Sequence, residues 1–126
     1  SAARSASDKR GADGAAAGAN YFASQNVKLI IGPVTSPETT GAKPVANRNG
    51  QLTFNSAMAK DALGTQWPMA FRQVSGPNAW APALVKTAKD RFKISSVVVV
   101  APNDQAGPDI ASVNAEAYKA QGIKTT

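Results

Sequence analysis

The sequence predicts an α/β fold, a parallel sheet in three αβα layers, and three observations carry that expectation. Segments with helical periodicity alternate with short apolar runs along the whole chain, the pattern of βαβ units. Two of those runs, Val27 to Ile31 and Ser95 to Ala101, are nearly unbroken, as in strands covered on both faces. Loops that follow strands also lead repeatedly into a helix opening on proline, at Ser36-Pro37, Gly76-Pro77 and Gly107-Pro108.

The first helix is expected over Gly11 to Asn26. Ala15, Ala16, Ala19, Phe22 and Ala23 form its apolar face, and Asp13 suits its first turn. Val27 to Ile31 follows as a strand with Lys28 its only polar residue. Gly32 to Thr39 closes that strand and opens a second helix. Ser36 reads as its N-cap, Pro37 as N1, and Glu38 favours the positive end of the dipole. This helix runs to about Asn47 and stops at Asn49-Gly50. Gln51 to Asn55 is a strand. Ser56 to Met69, broken by Gly64 and Pro68, is loop with at most one helical turn, and Ala70 to Val74 is a strand.

A turn at Ser75 to Asn78 enters a third helix with a stripe of Trp80, Leu84, Val85, Ala88 and Phe92. Pro82 is compatible with it only in the first turn. Ser95 to Ala101, with four consecutive valines, is the clearest strand. Pro102 to Asp109 repeats the polar loop and proline start, and the helix it opens ends at Gln121-Gly122. Ile123 to Thr126 begins another strand. The expected sheet core is Leu29, Ile30, Ile31, Val97, Val98, Val99 and Val100.

Composition limits the chemistry. The 126 residues include neither cysteine nor histidine. That excludes disulfides, thiolate metal sites, a cysteine nucleophile and the commonest general base. No cofactor or metal is expected. The net charge is +6, with its densest basic stretch at Lys86, Lys89, Arg91 and Lys93. Neither interleaved aromatics nor a helix-turn-helix pattern accompanies it, so it reads as a solvated helix end rather than a nucleic-acid surface. No apolar stretch reaches membrane-spanning length, and the Ala/Ser-rich start lacks the apolar centre of a signal peptide. If the protein is exported, its signal is expected outside this chain.

Ligands of open parallel sheets bind beyond the carboxyl ends of the strands. Three loops fall there: Pro33 to Ser36, Asn55 to Ala57, and Pro102 to Ala106. The first joins the hydroxyls of Thr35 and Ser36 to a helix N-terminus, which suits a carboxylate or phosphate; the plainer alternative is an ordinary cap. Trp80 follows a strand-to-helix turn and could stack on a ligand or fill a core. Asp104 and Asp109 make neither a metal cage nor an acid/base pair by spacing alone. Walker A, G-x-G-x-x-G and G-x-S-x-G sequences are all missing.

The stretch Asn26-Val27-Lys28-Leu29-Ile30-Ile31-Gly32-Pro33-Val34-Thr35-Ser36 resembles the D-x-V-x-x-I-I-G-P-x-x-S passage of type I periplasmic binding proteins. The nearest branch is the branched-chain amino-acid (Leu/Ile/Val) binding proteins of ABC transporters. Ala42 to Ala46, Leu52 to Ser56, Phe71-Arg72, Val97 to Val100, Gln105-Ala106-Gly107 and Gln121-Gly122 follow in family order, so the resemblance spans nearly all of residues 7–126.

It implies two lobes with a ligand cleft between them, residues 1–74 belonging to lobe one and 75–126 to the start of lobe two. The chain then looks truncated at both ends. The implied ligand is a small carboxylate-bearing solute, an amino acid or related organic acid. The implied partner is the membrane permease of an ABC transporter, and the implied location is periplasmic or extracytoplasmic.

In this family the hydroxyl after G-P-x-x and a short A-[AS]-[TS] stretch hold the ligand carboxylate. The positions matching these are Val34, Thr35 and Ser36, then Asn55, Ser56 and Ala57, with Ala57 replacing the expected hydroxyl. Trp80 and Ala106, the latter where the family usually has Tyr, complete the candidate set. The acid that grips a ligand ammonium would lie beyond residue 126. These departures favour an aromatic or dicarboxylic acid as much as an aliphatic amino acid. A flavodoxin-like signalling or enzyme domain is the competing reading, but acids do not cluster at its strand ends and Ser5 to Gly14 offer only Ser7 for a phosphate loop. A lobe with uncovered sheet faces is expected to self-associate.

Overall fold

A computed structural model describes residues 11–126; Ser7, weighed above for a phosphate loop, lies outside them. The chain divides into two compact units, with the boundary between Val74 and Ser75.

The first unit contains α1 (Ala12–Ser24), β1 (Leu29–Ile31), α2 (Ser36–Arg48), β2 (Leu52–Asn55), a 3-10 turn (Lys60–Ala62) and β3 (Ala70–Arg72). The sheet order is β1-β2-β3 and both pairings are parallel. Ile31, Phe54 and Phe71 lie in one cross-strand row, so all three strands end at the same edge. Ala15 and Ala19 of α1 meet Ala42 and Val45 of α2, with Ile30 of β1 packed beneath them. Small residues let the two helices approach closely. A Cβ on Gly41 would stand 1.9 Å from the carbonyl oxygen of Ala12.

The second unit contains α3 (Pro77–Phe92), β4 (Ser96–Val97), α4 (Gly107–Ala120) and β5 (Lys124–Thr125), with β4 and β5 parallel. Val85, Tyr118 and Ile123 form its buried centre, and Ala88, Ile94, Val97 and Ala117 pack on it.

The element order matches the expectation, but the covering of the sheets does not. Ile30, Val97 and Val99 are half-buried. Leu29, Ile31, Val98 and Val100 are 51%, 77%, 70% and 89% exposed. The reason is the pleat: successive side chains point to opposite faces. Within this chain the helices pack against the face that carries Ile30 in one unit and Val97 in the other. Phe54 and Phe71 stack on the open face of the first unit, with ring centroids 5.4 Å apart.

Three smaller corrections concern local structure. The valine run is regular strand only at Ser96–Val97, although the Val99 N–H still donates to the Thr126 carbonyl at 2.9 Å. The packing stripe of α3 is Ala81, Val85 and Ala88, whereas Leu84 and Phe92 are exposed. Pro82 lies inside α3, past its first turn. Its ring and Asn78, whose carbonyl loses its intrahelical donor, are both exposed, so water can solvate that carbonyl. Pro44 likewise lies inside α2, where it and Thr40 are half-buried.

Candidate carboxylate-binding edge

The carboxyl ends of β1 and β2 meet because hydrogen bonding continues past both strands. The Gly32 N–H donates to the Phe54 carbonyl at 2.8 Å, and the Ser56 N–H donates to the Pro33 carbonyl at 3.1 Å. Gly32 has φ +125°, which a side chain would resist. The loop Val34 to Ser36 and the stretch Asn55 to Ala57 therefore lie side by side, as the sequence led one to expect.

The roles inside this pair of loops differ from expectation in one respect. Thr35, not Ser36, is the N-cap of α2. The Thr35 N–H donates to Glu38 Oε2 at 3.3 Å, and the Thr35 carbonyl accepts the Thr39 hydroxyl at 2.8 Å. Pro37 consequently follows the first helical residue instead of being it. Ser36 is only 4% exposed. Its Oγ accepts the N–H groups of Met58 at 3.1 Å and Ala59 at 3.2 Å. A one-residue shift of the cap thus converts Ser36 from a helix cap into a clasp between α2 and the loop after β2.

Asn55 is fully buried. Its Nδ2 donates to the Phe71 carbonyl at 3.0 Å, and its Oδ1 accepts the Ala57 N–H at 3.1 Å. Both ends of the amide are engaged, so Asn55 shapes the loop. Ser56 is half-buried, and its Oγ accepts Gln73 Nε2 at 2.9 Å. Arg72 Nη1 lies 3.5 Å from the Ala57 carbonyl. Ala57 is buried, whereas Val34 is 69% exposed. Arg72 and Gln73 are the polar residues that the sequence reading passed over. Phe71-Arg72 served there only as a landmark, and no local pattern marks Gln73.

Lys43 secures the far part of the same loop. Its side chain is buried, donates to the Asp61 carbonyl and lies 5.0 Å over the Trp67 ring. Burial pushes its pKa below the usual lysine range, and Asp61 partly opposes that shift.

A cavity of about 310 Å³ borders the α1 side of this edge. Ala15, Gly18, Phe22, Val34 and Glu38 help line it, but Ser36, Asn55, Ser56 and Ala57 do not.

Trp80 and Ala106 belong to the second unit. Trp80 is half-buried in the first turns of α3. Ala106 is the buried N-cap residue of α4. Its N–H and that of Gly107 both donate to Asp104 Oδ1 at 2.9 Å, which makes Asp104 the organiser of its own loop. Among the described residues, no group of three carboxylates is placed to hold a metal ion, and no helix is long and apolar enough to cross a membrane.

The two hydroxyls at the edge share one chemical property. A serine oxygen has two lone pairs and one proton. At Ser36 two backbone donors take both lone pairs, leaving the O–H as the only remaining function. At Ser56 the Gln73 amide takes one lone pair, and the Ser56 proton cannot point back at that donor. Each hydroxyl thus keeps a proton to give, Ser56 with one lone pair still open, and Arg72 brings a positive charge to the Ala57 carbonyl.

Comparison with known proteins places this geometry in context. Over 111 residues the chain is 28% identical to the leucine-, isoleucine-, valine-, threonine- and alanine-binding protein of Pseudomonas aeruginosa, covering 87% of this chain and 30% of that protein. The fold is similar to that of an ABC transporter substrate-binding protein from Desulfitobacterium hafniense in complex with Leu, with a TM-score of 0.80 and 20% identity. That match covers 96% of this chain and 36% of the other. An extracellular ligand-binding receptor from Rhodopseudomonas palustris gives a TM-score of 0.83 at 19% identity, over 96% of this chain and 34% of that one. The chain thus spans about a third of the length of these relatives. The sequence matches the family described as periplasmic binding protein over residues 4–126, and the chain belongs to that family.

Proposed function

We propose that this chain supplies part of the binding site of a solute-binding protein, which takes up a small carboxylate-bearing solute outside the cytoplasm and delivers it to the permease of an ABC transporter. The protein binds its solute and does not transform it. The observation that carries the ligand class is the donor character of the β1–β2 edge. At Ser36 N–H donors occupy both acceptor positions and at Ser56 one of the two, so each hydroxyl keeps its proton to give. Such an edge suits a carboxylate, which accepts only, and suits poorly an ammonium or amide N–H, which donates. Val34 and Thr35 form the exposed rim of the edge, while Asn55 and Ala57 shape it from below. Trp80 and Ala106 are candidates for ligand contact within the second unit taken by itself.

The test is isothermal titration of the protein as its gene encodes it. The probes are L-leucine, L-isoleucine, L-valine, L-threonine, L-alanine, L-phenylalanine, L-glutamate and benzoate, each beside its carboxamide. At least one carboxylate is expected to bind, and its amide is expected to bind about tenfold or more weakly, the worth of one hydrogen bond to a charged group. Equal affinity for acid and amide would refute the donor-edge reading.

A further inference from the structure

We propose that Gln73 is a positioning residue for ligand selectivity: by donating to Ser56, it keeps the Ser56 hydroxyl turned outward as a donor. This inference rests on the carboxylate reading above. Gln73 follows β3, and its N–H donates to the Asn55 carbonyl at 2.9 Å, which holds its backbone beside the end of β2. From there its Nε2 reaches Ser56 Oγ at 2.9 Å. The amide nitrogen of glutamine only donates, so Ser56 must send its own proton elsewhere. Ser56 stands beside the paired ends of β1 and β2, and its side chain is half-buried and therefore accessible from solvent. Gln73 is itself exposed, so replacing it perturbs the hydroxyl without opening a core.

The chemistry makes a polarity-reversing change available. In Gln73→Glu the ionised carboxylate accepts the Ser56 proton. That removes one donor from the edge and turns the Ser56 lone pairs outward. In Gln73→Leu the hydroxyl is released but not reversed.

Three proteins are compared by isothermal titration at pH 7 and at pH 4: wild type, Gln73→Glu and Gln73→Leu. The probe is whichever amino acid of the panel binds wild type most tightly, beside its carboxamide. At pH 7, Gln73→Glu is expected to weaken the carboxylate probe about ten- to a hundredfold, the loss of a charge-assisted hydrogen bond. Its preference for acid over amide is expected to narrow. At pH 4, below the ordinary glutamate pKa of about 4.3, the protonated side chain can donate again and most of the affinity is expected to return. Gln73→Leu is expected to lose less and to show no such recovery.

Gln73→Glu binding like wild type at pH 7, or binding weakly with no gain at pH 4, overturns the positioning role. If Ser56→Ala weakens the probe while neither Gln73 variant does, the carboxylate edge stands and this inference alone fails. If no panel compound binds wild type, the underlying reading fails and this inference with it.

Discussion

Removing the Ser36 hydroxyl separates two structural roles that the sequence alone leaves joined. As an N-cap, Ser36→Ala would cost about 0.5–2 kcal/mol. The structure gives it a different task, since its oxygen accepts from Met58 and Ala59, 22 and 23 residues away. Ala59 is only 2% exposed, so its N–H loses its partner without water to replace it, at about 1–3 kcal/mol. Met58 is half-buried, and its N–H loses about 0.5–1.5 kcal/mol, the net worth of an ordinary hydrogen bond. Together these give about 1.5–4.5 kcal/mol, with the loss localised to the loop after β2. Thr35→Ala, which alters the actual cap, should cost about 0.5–2 kcal/mol and leave that loop in place. Amide hydrogen exchange reads the difference directly. Ser36→Ala should accelerate exchange at Met58 and Ala59 by about tenfold or more, since each 1.4 kcal/mol of protection is a factor of ten. Ser36→Thr, which retains the oxygen, should stay near wild type. If exchange at Ala59 is unchanged in Ser36→Ala, or if Thr35→Ala accelerates it more, the clasp does not exist.

Other consequences follow from packing and charge. Gly41→Ala forces a methyl group toward the Ala12 carbonyl and should destabilise by about 1–3 kcal/mol. Gly18→Ala, where a Cβ meets nothing within 4 Å, should stabilise α1 by about 0.5–1 kcal/mol; urea midpoints of the pair should move in opposite directions. Lys43 has a folded-state pKa lowered by burial, against 10.5 for the ordinary side chain. Between the two values the unfolded state binds more protons, so stability should rise with pH there. Lys43→Met should flatten that slope in urea melts recorded from pH 8 to 11, and an unaltered slope would discount the burial of this charge. Produced alone, the 126-residue chain should self-associate through the face that exposes Leu29, Ile31, Phe54 and Phe71. Ile31→Lys should reduce that association, and a concentrated wild-type sample sedimenting as a monomer would refute it.

The parts of the fold that were legible are those written in local periodicity. The alanine spacing of α1 and the strand-loop-proline units specify element order within a few residues, because each signal lies inside its own element. Burial is a different quantity. The runs Leu29 to Ile31 and Val97 to Val100 read as strands covered on both faces. Yet what covers a strand is chosen by remote chain, and among the described residues helices lie against only one face of each sheet. The N-cap was missed for a related reason. Thr35 and Ser36 have equivalent capping chemistry, and Glu38 three residues after Thr35 was the signal that favours Thr35 through a capping box.

The candidate site was legible as two loops but not as chemistry. Its chemistry depends on what each hydroxyl already bonds, and those partners come from register: β3 beside β2 brings Asn55 opposite Arg72, which sets Gln73 next to Ser56 across 17 residues of sequence. No spacing rule reaches that far. The same register ties the two loops together. Ser36 and Ser56 each accept from a separate segment, so the bonds that fix the loops also limit what each hydroxyl has left to offer. A ligand that accepts from both hydroxyls would strengthen that arrangement, because successive hydrogen bonds through one oxygen polarise each other. A ligand that donates to Ser36 would have to displace Met58 or Ala59 from its oxygen, which is why selectivity for a carboxylate should be lost together with the order of the loop after β2.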